Sequence, residues 1–104
     1  MIIMKTTVIV PSNKRTQDLE RCLRALKQQT ELADEVIVVV RDTDLETQNF
    51  LGCFNQENLN LRVAQVEIPG QIAALNVGLE QATGDIISIT DDDGVPHPPW
   101  LERI

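Results

Sequence analysis

"EVIVVV" (Glu35–Val40) is five apolar residues in a row, every one β-branched, opened by a single glutamate. The run is too short for a buried helix and suits a strand. A strand facing solvent on one side alternates polar with apolar residues; this one does not. Both faces are therefore expected to be covered, as in a parallel sheet between helical layers.

The neighbouring segments repeat the theme. "TTVIVP" (Thr6–Pro11) is a β-branched run stopped by proline. "LRVAQVEI" (Leu61–Ile68) alternates imperfectly and ends at Pro69–Gly70, and "DIISIT" (Asp85–Thr90) is a fourth short run. Between them the apolar period changes. "TQDLERCLRALKQQ" (Thr16–Gln29) has apolar residues at 19, 22, 23 and 26, with Thr16 placed to cap. "TDLE" (Thr43–Glu46) fits a capping box with Thr43 at the cap, and Leu51 and Phe54 are expected to face inward. Gly52 is an unfavourable residue within that helix. Ile72, Leu75, Leu79 and Ala82 recur at helical spacing, and Gly84 suits a left-handed position after the helix end. Gly78 is expected to permit close helix–sheet approach.

The order β-α-β-α-β-α-β predicts an α/β three-layer sandwich with a mostly parallel, doubly wound sheet. Residues 1–104 read as one domain. The longest apolar run, Val36–Val40, is far below a membrane span of roughly 18 residues, and Lys5 interrupts the apolar start. A cytoplasmic protein is the expectation. Cys22 and Cys53 lack metal-ligand spacing and read as small core residues in a reducing compartment. A net charge of -7 argues against nucleic acid as a partner. Lys5, Lys14, Arg15, Arg21, Arg24 and Lys27 all precede residue 28. They read as a solvated helix face or as a patch for an anionic ligand or membrane surface.

Function is concentrated in "TDDDG" (Thr90–Gly94). For four strands the common order 3-2-1-4 puts the switch point between the first and fourth, where ligands of doubly wound sheets bind. "VPSNKR" and "TDDDG" then border one crevice. Along extended chain Asp91 and Asp93 share a side, with Asp92 turned away. Two carboxylates about 6 Å apart repel by roughly 3 kcal/mol at an effective dielectric near 20. A divalent cation removes that penalty, and oxygen-only ligands point to Mg²⁺ or Mn²⁺. Such an ion commonly bridges a diphosphate and stabilises its departure. A solvated polar turn is the competing reading. A dehydrogenase fails on the missing G-x-G-x-x-G, and "PSNKR" lacks the glycine-rich first loop of a nucleotidyltransferase.

"TVIVPSNKRTQDLERCLRALKQQT", "DEVIVVV" and "GQIAALNVGLEQATGDIISITDDDGVPHPPWL" together resemble the nucleotide-sugar half of family 2 glycosyltransferases, which have the GT-A fold. The resemblance covers almost the whole chain and is most specific from Gly70 to Leu101. It implies a metal-dependent, inverting transfer of sugar from a nucleotide-diphosphate sugar to a saccharide, lipid-linked or other hydroxyl acceptor. It matches Asp91 and Asp93 to the D-x-D carboxylates that hold the metal and donor, with Asp92 between them contacting sugar or metal. Pro11 and Ser12 match the lining of the nucleotide pocket. Gln71 falls at a position that is often basic in relatives, near base or phosphate. Where relatives have a "DDGSTD"-like stretch this chain has "VRDTD", so the base-reading aspartate is Asp42 or Asp44. Arg41 approaches a phosphate or is solvated. Asn76 reads as local backbone bonding, His97 as a loop residue and Trp100 as a packing anchor.

The resemblance also implies a second half with the acceptor site and general base. The chain is therefore expected to be incomplete at its C-terminus, inactive alone, and able to form a homodimer through the truncated edge. Localisation at the inner face of a membrane is compatible with a lipid-linked acceptor. The alternative is a non-catalytic module or remnant of the same fold that acts through protein association.

Overall fold

A computed structural model describes residues 5–14, 16–28, 34–54 and 60–90. The elements are β1 (Thr6–Ser12), α1 (Thr16–Lys27), β2 (Glu35–Arg41), α2 (Leu45–Cys53), β3 (Leu61–Val66), α3 (Gln71–Gln81) and β4 (Ile86–Ile89). All strand pairs are parallel and the sheet order is β3-β2-β1-β4. The expected α/β architecture and strand order are both present.

β2 is buried along its whole length from Glu35 to Val40. Its side chains serve two cores. Val36, Val38 and Val40 join Val8 and Val10 under Leu19, Cys22, Leu23 and Leu26 of α1 and Leu51 of α2. Ile37 and Val39 join Ile9, Ala64, Val66 and Ala74 on the α3 side. This two-sided burial is the reason the strand cannot alternate with polar residues.

α3 packs differently from the expectation. Its buried residues are Ala74 and Gly78, whereas Ile72 is 78% exposed and Leu79 44% exposed. The sheet selects the small face of the helix because that face allows the backbones to come close. A Cβ on Gly78 would lie 2.6 Å from Ile9 Cγ2 and 3.3 Å from Val39 Cγ2, so the expected close approach is present. Gly84 does not take the left-handed conformation; among the described glycines only Gly70 has a positive φ. Gly84 is required for space, since a Cβ there would sit 2.4 Å from Thr7 Oγ1 and 2.8 Å from Thr7 N.

Three smaller expectations also change. The N-cap of α2 is Asp44, not Thr43; its side chain reaches the Thr47 N–H while Thr43 is exposed. β3 ends at Val66, leaving Ile68 exposed. Cys22 is buried, but Cys53 is exposed at the end of α2. No helix among the described residues is long and apolar enough to cross a membrane.

The amino-terminal edge of the sheet is tied by Glu35, which is only 6% exposed. Its Oε1 accepts from Thr7 Oγ1 at 3.0 Å, from the Thr83 N–H at 3.0 Å and from Thr83 Oγ1 at 3.2 Å. Its Oε2 accepts from Arg62 Nη1 at 2.7 Å. Thr7 Oγ1 in turn accepts from the Gly84 N–H at 2.9 Å. One carboxylate thus joins β1, β2, β3 and the turn before β4. Burial pushes the Glu35 carboxyl up, but the donors from Thr83, Arg62 and Thr7 together outweigh it and hold it below its ordinary 4.5. A carboxyl lowered in the folded state contributes stability above its unfolded value, and that stability is lost as pH falls through the folded value. Urea melts of Glu35→Gln should therefore show a loss of about 1–3 kcal/mol at neutral pH. The gap to the parent should narrow below about pH 4.5. Stability curves that stay parallel down through acid pH would show that Glu35 is not the coupled group.

Candidate functional site

Parallel strands bring all four carboxyl ends to one edge. The chain passes from β1 to β2 and β3 on one side, then returns to β4 on the other. The switch point therefore lies between β1 and β4, where a crevice forms outside the strand ends. The Thr90 N–H donates to the Ile9 carbonyl at 3.1 Å. This holds the residue before Asp91 beside the last turn of backbone leading to Pro11 and Ser12. Pro11 is half-buried, and Ser12 is buried in register with Val40. Asp91, Asp92 and Asp93 lie outside the described residues, as do His97 and Trp100.

On the β2 side the geometry separates the two candidate aspartates. Asp44 is 1% exposed. Its Oδ2 accepts from the Lys14 N–H at 2.7 Å and from Thr47 Oγ1 at 2.6 Å, and its Oδ1 accepts from the Thr47 N–H at 3.3 Å. Burial pushes its carboxyl up; the Thr47 and Lys14 donors, with the Lys14 charge, bring it below the ordinary 3.8. Asp44 is committed to holding α2 and the loop after β1. Lys14 has φ 57, a conformation unusual for a non-glycine residue, and the bond to Asp44 fixes it there.

Asp42 is the opposite case. Its side chain is 40% exposed. Only its backbone is anchored: its N–H donates to the Val66 carbonyl at 3.1 Å and its carbonyl accepts from Gln48 Nε2 at 3.2 Å. Gln48 Nε2 also donates to the Arg41 carbonyl at 3.0 Å, and Gln48 Oε1 accepts from Gln65 Nε2 at 3.1 Å. Gln48 thus clamps the loop after β2, a role with no visible signal in the sequence. The Arg41 side chain lies beside Asp42, with Nε 3.7 Å from Asp42 Oδ1.

Gln71 opens α3 and is exposed. The N-cap before it is Gly70, with φ 109 and no side-chain cap bond. That backbone conformation is accessible to glycine and strained for other residues, and Gly70 has no side chain with which to cap the helix.

The basic residues of α1 have partners among the described residues. Arg21 pairs with Asp18, Arg24 with Glu20 at 2.6 Å, and Lys27 Nζ lies 5.2 Å from the Phe54 ring centre. Glu20, Arg24, Lys27, Phe50, Cys53 and Phe54 line a groove at the carboxyl ends of α1 and α2. The acids on the same helix offset the charge of Arg21 and Arg24; Arg15 lies outside the described residues.

The division between Asp42 and Asp44 has a direct check. Asp44→Ala should cost about 1–3 kcal/mol in a urea melt, because it removes a cap and strands buried donors. Asp42→Ala should stay within roughly 0.5 kcal/mol of the parent. The reverse order of the two effects would exchange their assignments.

Comparison with known proteins places this geometry. The profile of the family described as Glycosyl transferase family 2 matches residues 7–104. Glycosyltransferase AglE of Haloferax volcanii is 34% identical over 100 residues, covering 93% of this chain and 33% of AglE. Among solved structures, the mannosyltransferase PcManGT of Pyrobaculum calidifontis, in complex with GDP-Man and Mn²⁺, is similar with a TM-score of 0.81 and 30% identity. The likeness covers 96% of this chain and 30% of that one. S. aureus TarS in complex with UDP-GlcNAc is similar with a TM-score of 0.72 and 32% identity, over 96% of this chain and 30% of that one. The chain spans about a third of the length of the curated relatives it matches.

Proposed function

The chain belongs to glycosyl transferase family 2 and has the GT-A fold, and on that premise we propose that its residues bind the donor of a metal-dependent, inverting sugar transfer. The donor is a nucleotide-diphosphate sugar and the acceptor a hydroxyl. The observation that carries this reading is the bond from the Thr90 N–H to the Ile9 carbonyl. It brings the chain entering "DDD" to the strand end that carries Pro11 and Ser12, at the switch point of the sheet. PcManGT carries GDP-Man and Mn²⁺, and TarS carries UDP-GlcNAc. These ligands support a uridine or guanosine diphosphate sugar as donor.

Each residue has a stated task. Pro11 and Ser12 line the nucleotide pocket. Asp42, exposed and with an anchored backbone, accepts from the base. Gln71, at the open start of α3, donates an uncharged hydrogen bond to base or phosphate. Among the described residues no group of three or more His, Cys, Asp or Glu is placed to hold an ion. By resemblance to the family's D-x-D carboxylates the metal falls to Asp91 and Asp93, an all-oxygen pair suited to Mg²⁺ or Mn²⁺, with Asp92 contacting donor or metal. When bound, such an ion supplies positive charge to the diphosphate. The chain itself orients the nucleotide between β1, β2 and α3. We assign no residue here as the general base.

Calorimetric titration of this chain with UDP and GDP tests the reading. Affinity should fall at least tenfold when Mn²⁺ is chelated, and by a similar factor in Asp91→Ala and Asp93→Ala. Affinity unchanged by chelation and by both substitutions would remove the metal assignment. Absence of nucleotide binding in every condition would instead favour a non-catalytic module.

A further inference from the structure

We infer that residues 95–104 of this chain dock in an apolar trough between α3 and β4, with Trp100, Leu101 and Ile104 as the contacts. The inference does not depend on donor binding.

The trough follows from strand register and from the hand of the helix. β4 pairs with β1 so that Ile87 lies opposite Thr7 and Ile89 opposite Ile9. In-register neighbours share a face of the sheet, and Ile9 packs in the core on the α3 side. Ile87 and Ile89 therefore stand on that side too. They are 40% and 46% exposed, because α3 packs over β3, β2 and β1. α3 runs antiparallel to the strands and meets the sheet through Ala74 and Gly78. At about 3.6 residues per turn, a right-handed helix in that direction turns Ile72, Leu75 and Leu79 to the β4 side. Leu75 is half-buried against the core, and Ile72 and Leu79 are exposed. These aliphatic side chains line one trough, and a contiguous exposed apolar patch marks a docking site.

Three observations name the occupant. First, residues 95–104 are within reach. They follow β4 and lie outside the described residues. The Thr90 N–H bonds the Ile9 carbonyl at 3.1 Å, so the chain sets out from the head of the trough. From Thr90 to Trp100 it can span roughly 33 Å, whereas β4, with 4 residues, is roughly 13 Å long. Second, the chemistry fits. "PPWLERI" (Pro98–Ile104) puts Trp100, Leu101 and Ile104 on one helical face, and proline suits the first helical turn. A right-handed crossover leaving β4 by its open edge runs on the α3 side. Third, a tethered segment meets the trough at high effective concentration. A second copy would bring a net charge of -7 against the same charge. Docking would hold the far side of Asp91–Asp93 as the Thr90 bond holds the near side.

Trp100 is the single tryptophan, so its fluorescence reports the contact. In the monomeric parent its emission should lie to the blue of the urea-unfolded chain and resist acrylamide quenching. Ile72→Asp and Ile89→Asp should each shift the emission to the red and ease quenching. Leu45→Asp should do neither, since Leu45 is exposed on α2, across the sheet. Ile72 is 78% exposed, so its variant retains the fold, which circular dichroism checks. Parent emission equal to that of the unfolded chain would overturn the inference. Shielding unchanged in both aspartate variants would also overturn it, by placing Trp100 elsewhere. Shielding seen only at concentrations where sedimentation finds a dimer would make a second copy the occupant and overturn it as well.

Discussion

The Asp44 carboxylate is the contact on which the candidate site depends. It accepts from the Lys14 N–H in the loop after β1 and from Thr47 at the start of α2. These segments are distant in sequence and would otherwise be free to separate at the sheet edge. Because the carboxylate is almost fully buried, losing any of its donors would expose it to a full desolvation cost. The contact fixes how the first loop leaves the sheet, and so where Ser12 stands. It also consumes one of the two aspartates after β2 and leaves Asp42 exposed at the strand end. Glu35 has the corresponding role at the opposite edge, joining three strands and the Thr83–Gly84 turn. The central strand is thus bounded by two buried carboxylates, and neither depends on solvent.

Much of the fold is legible because it follows from burial. Five consecutive β-branched apolar residues at 36–40 leave little choice but a strand covered on both faces, and the alternation of periods dictates parallel crossovers. Gly78 is readable as a point of close helix–sheet approach, and it meets Ile9 and Val39 there. Three of the departures share a cause: each is decided by a partner far along the chain. Thr43 looks like a cap by local pattern, but the Lys14 N–H lies 30 residues from Asp44 and secures Asp44 in that place. Ile72 and Leu79 of α3 point outward because the sheet takes Ala74 and Gly78 at close range, with Leu75 and Val77 packed at the margin. Gly84 serves space beside Thr7 instead of backbone freedom. Asp42 and Asp44 are chemically identical two residues apart, so no sequence pattern distinguishes the exposed carboxylate from the buried strut. Gln48 is legible only once the loop after β2 is folded.

Donor binding, as proposed, is divided according to sheet order. β2 leads to the base-reading Asp42, β1 carries the pocket lining, and β4 leads to the acidic triplet. α3 adds a helix start opened by Gly70. Each part sits at a strand end fixed by backbone bonds, with the Thr90–Ile9 bond aligning β4 to β1 and the Asp42–Val66 bond aligning β2 to β3. The parallel sheet therefore supplies preorganisation, and the charged side chains supply recognition.

The most direct measurement is paramagnetic broadening of backbone amide signals by Mn²⁺ in the presence of UDP or GDP. The account predicts the strongest loss at Ser12, Asn13 and Thr90, with Lys27 and Phe54 at the far groove unaffected. Broadening centred on Phe50 and Phe54, or spread evenly over the acidic surface, would contradict a metal-held donor at the junction of β1 and β4.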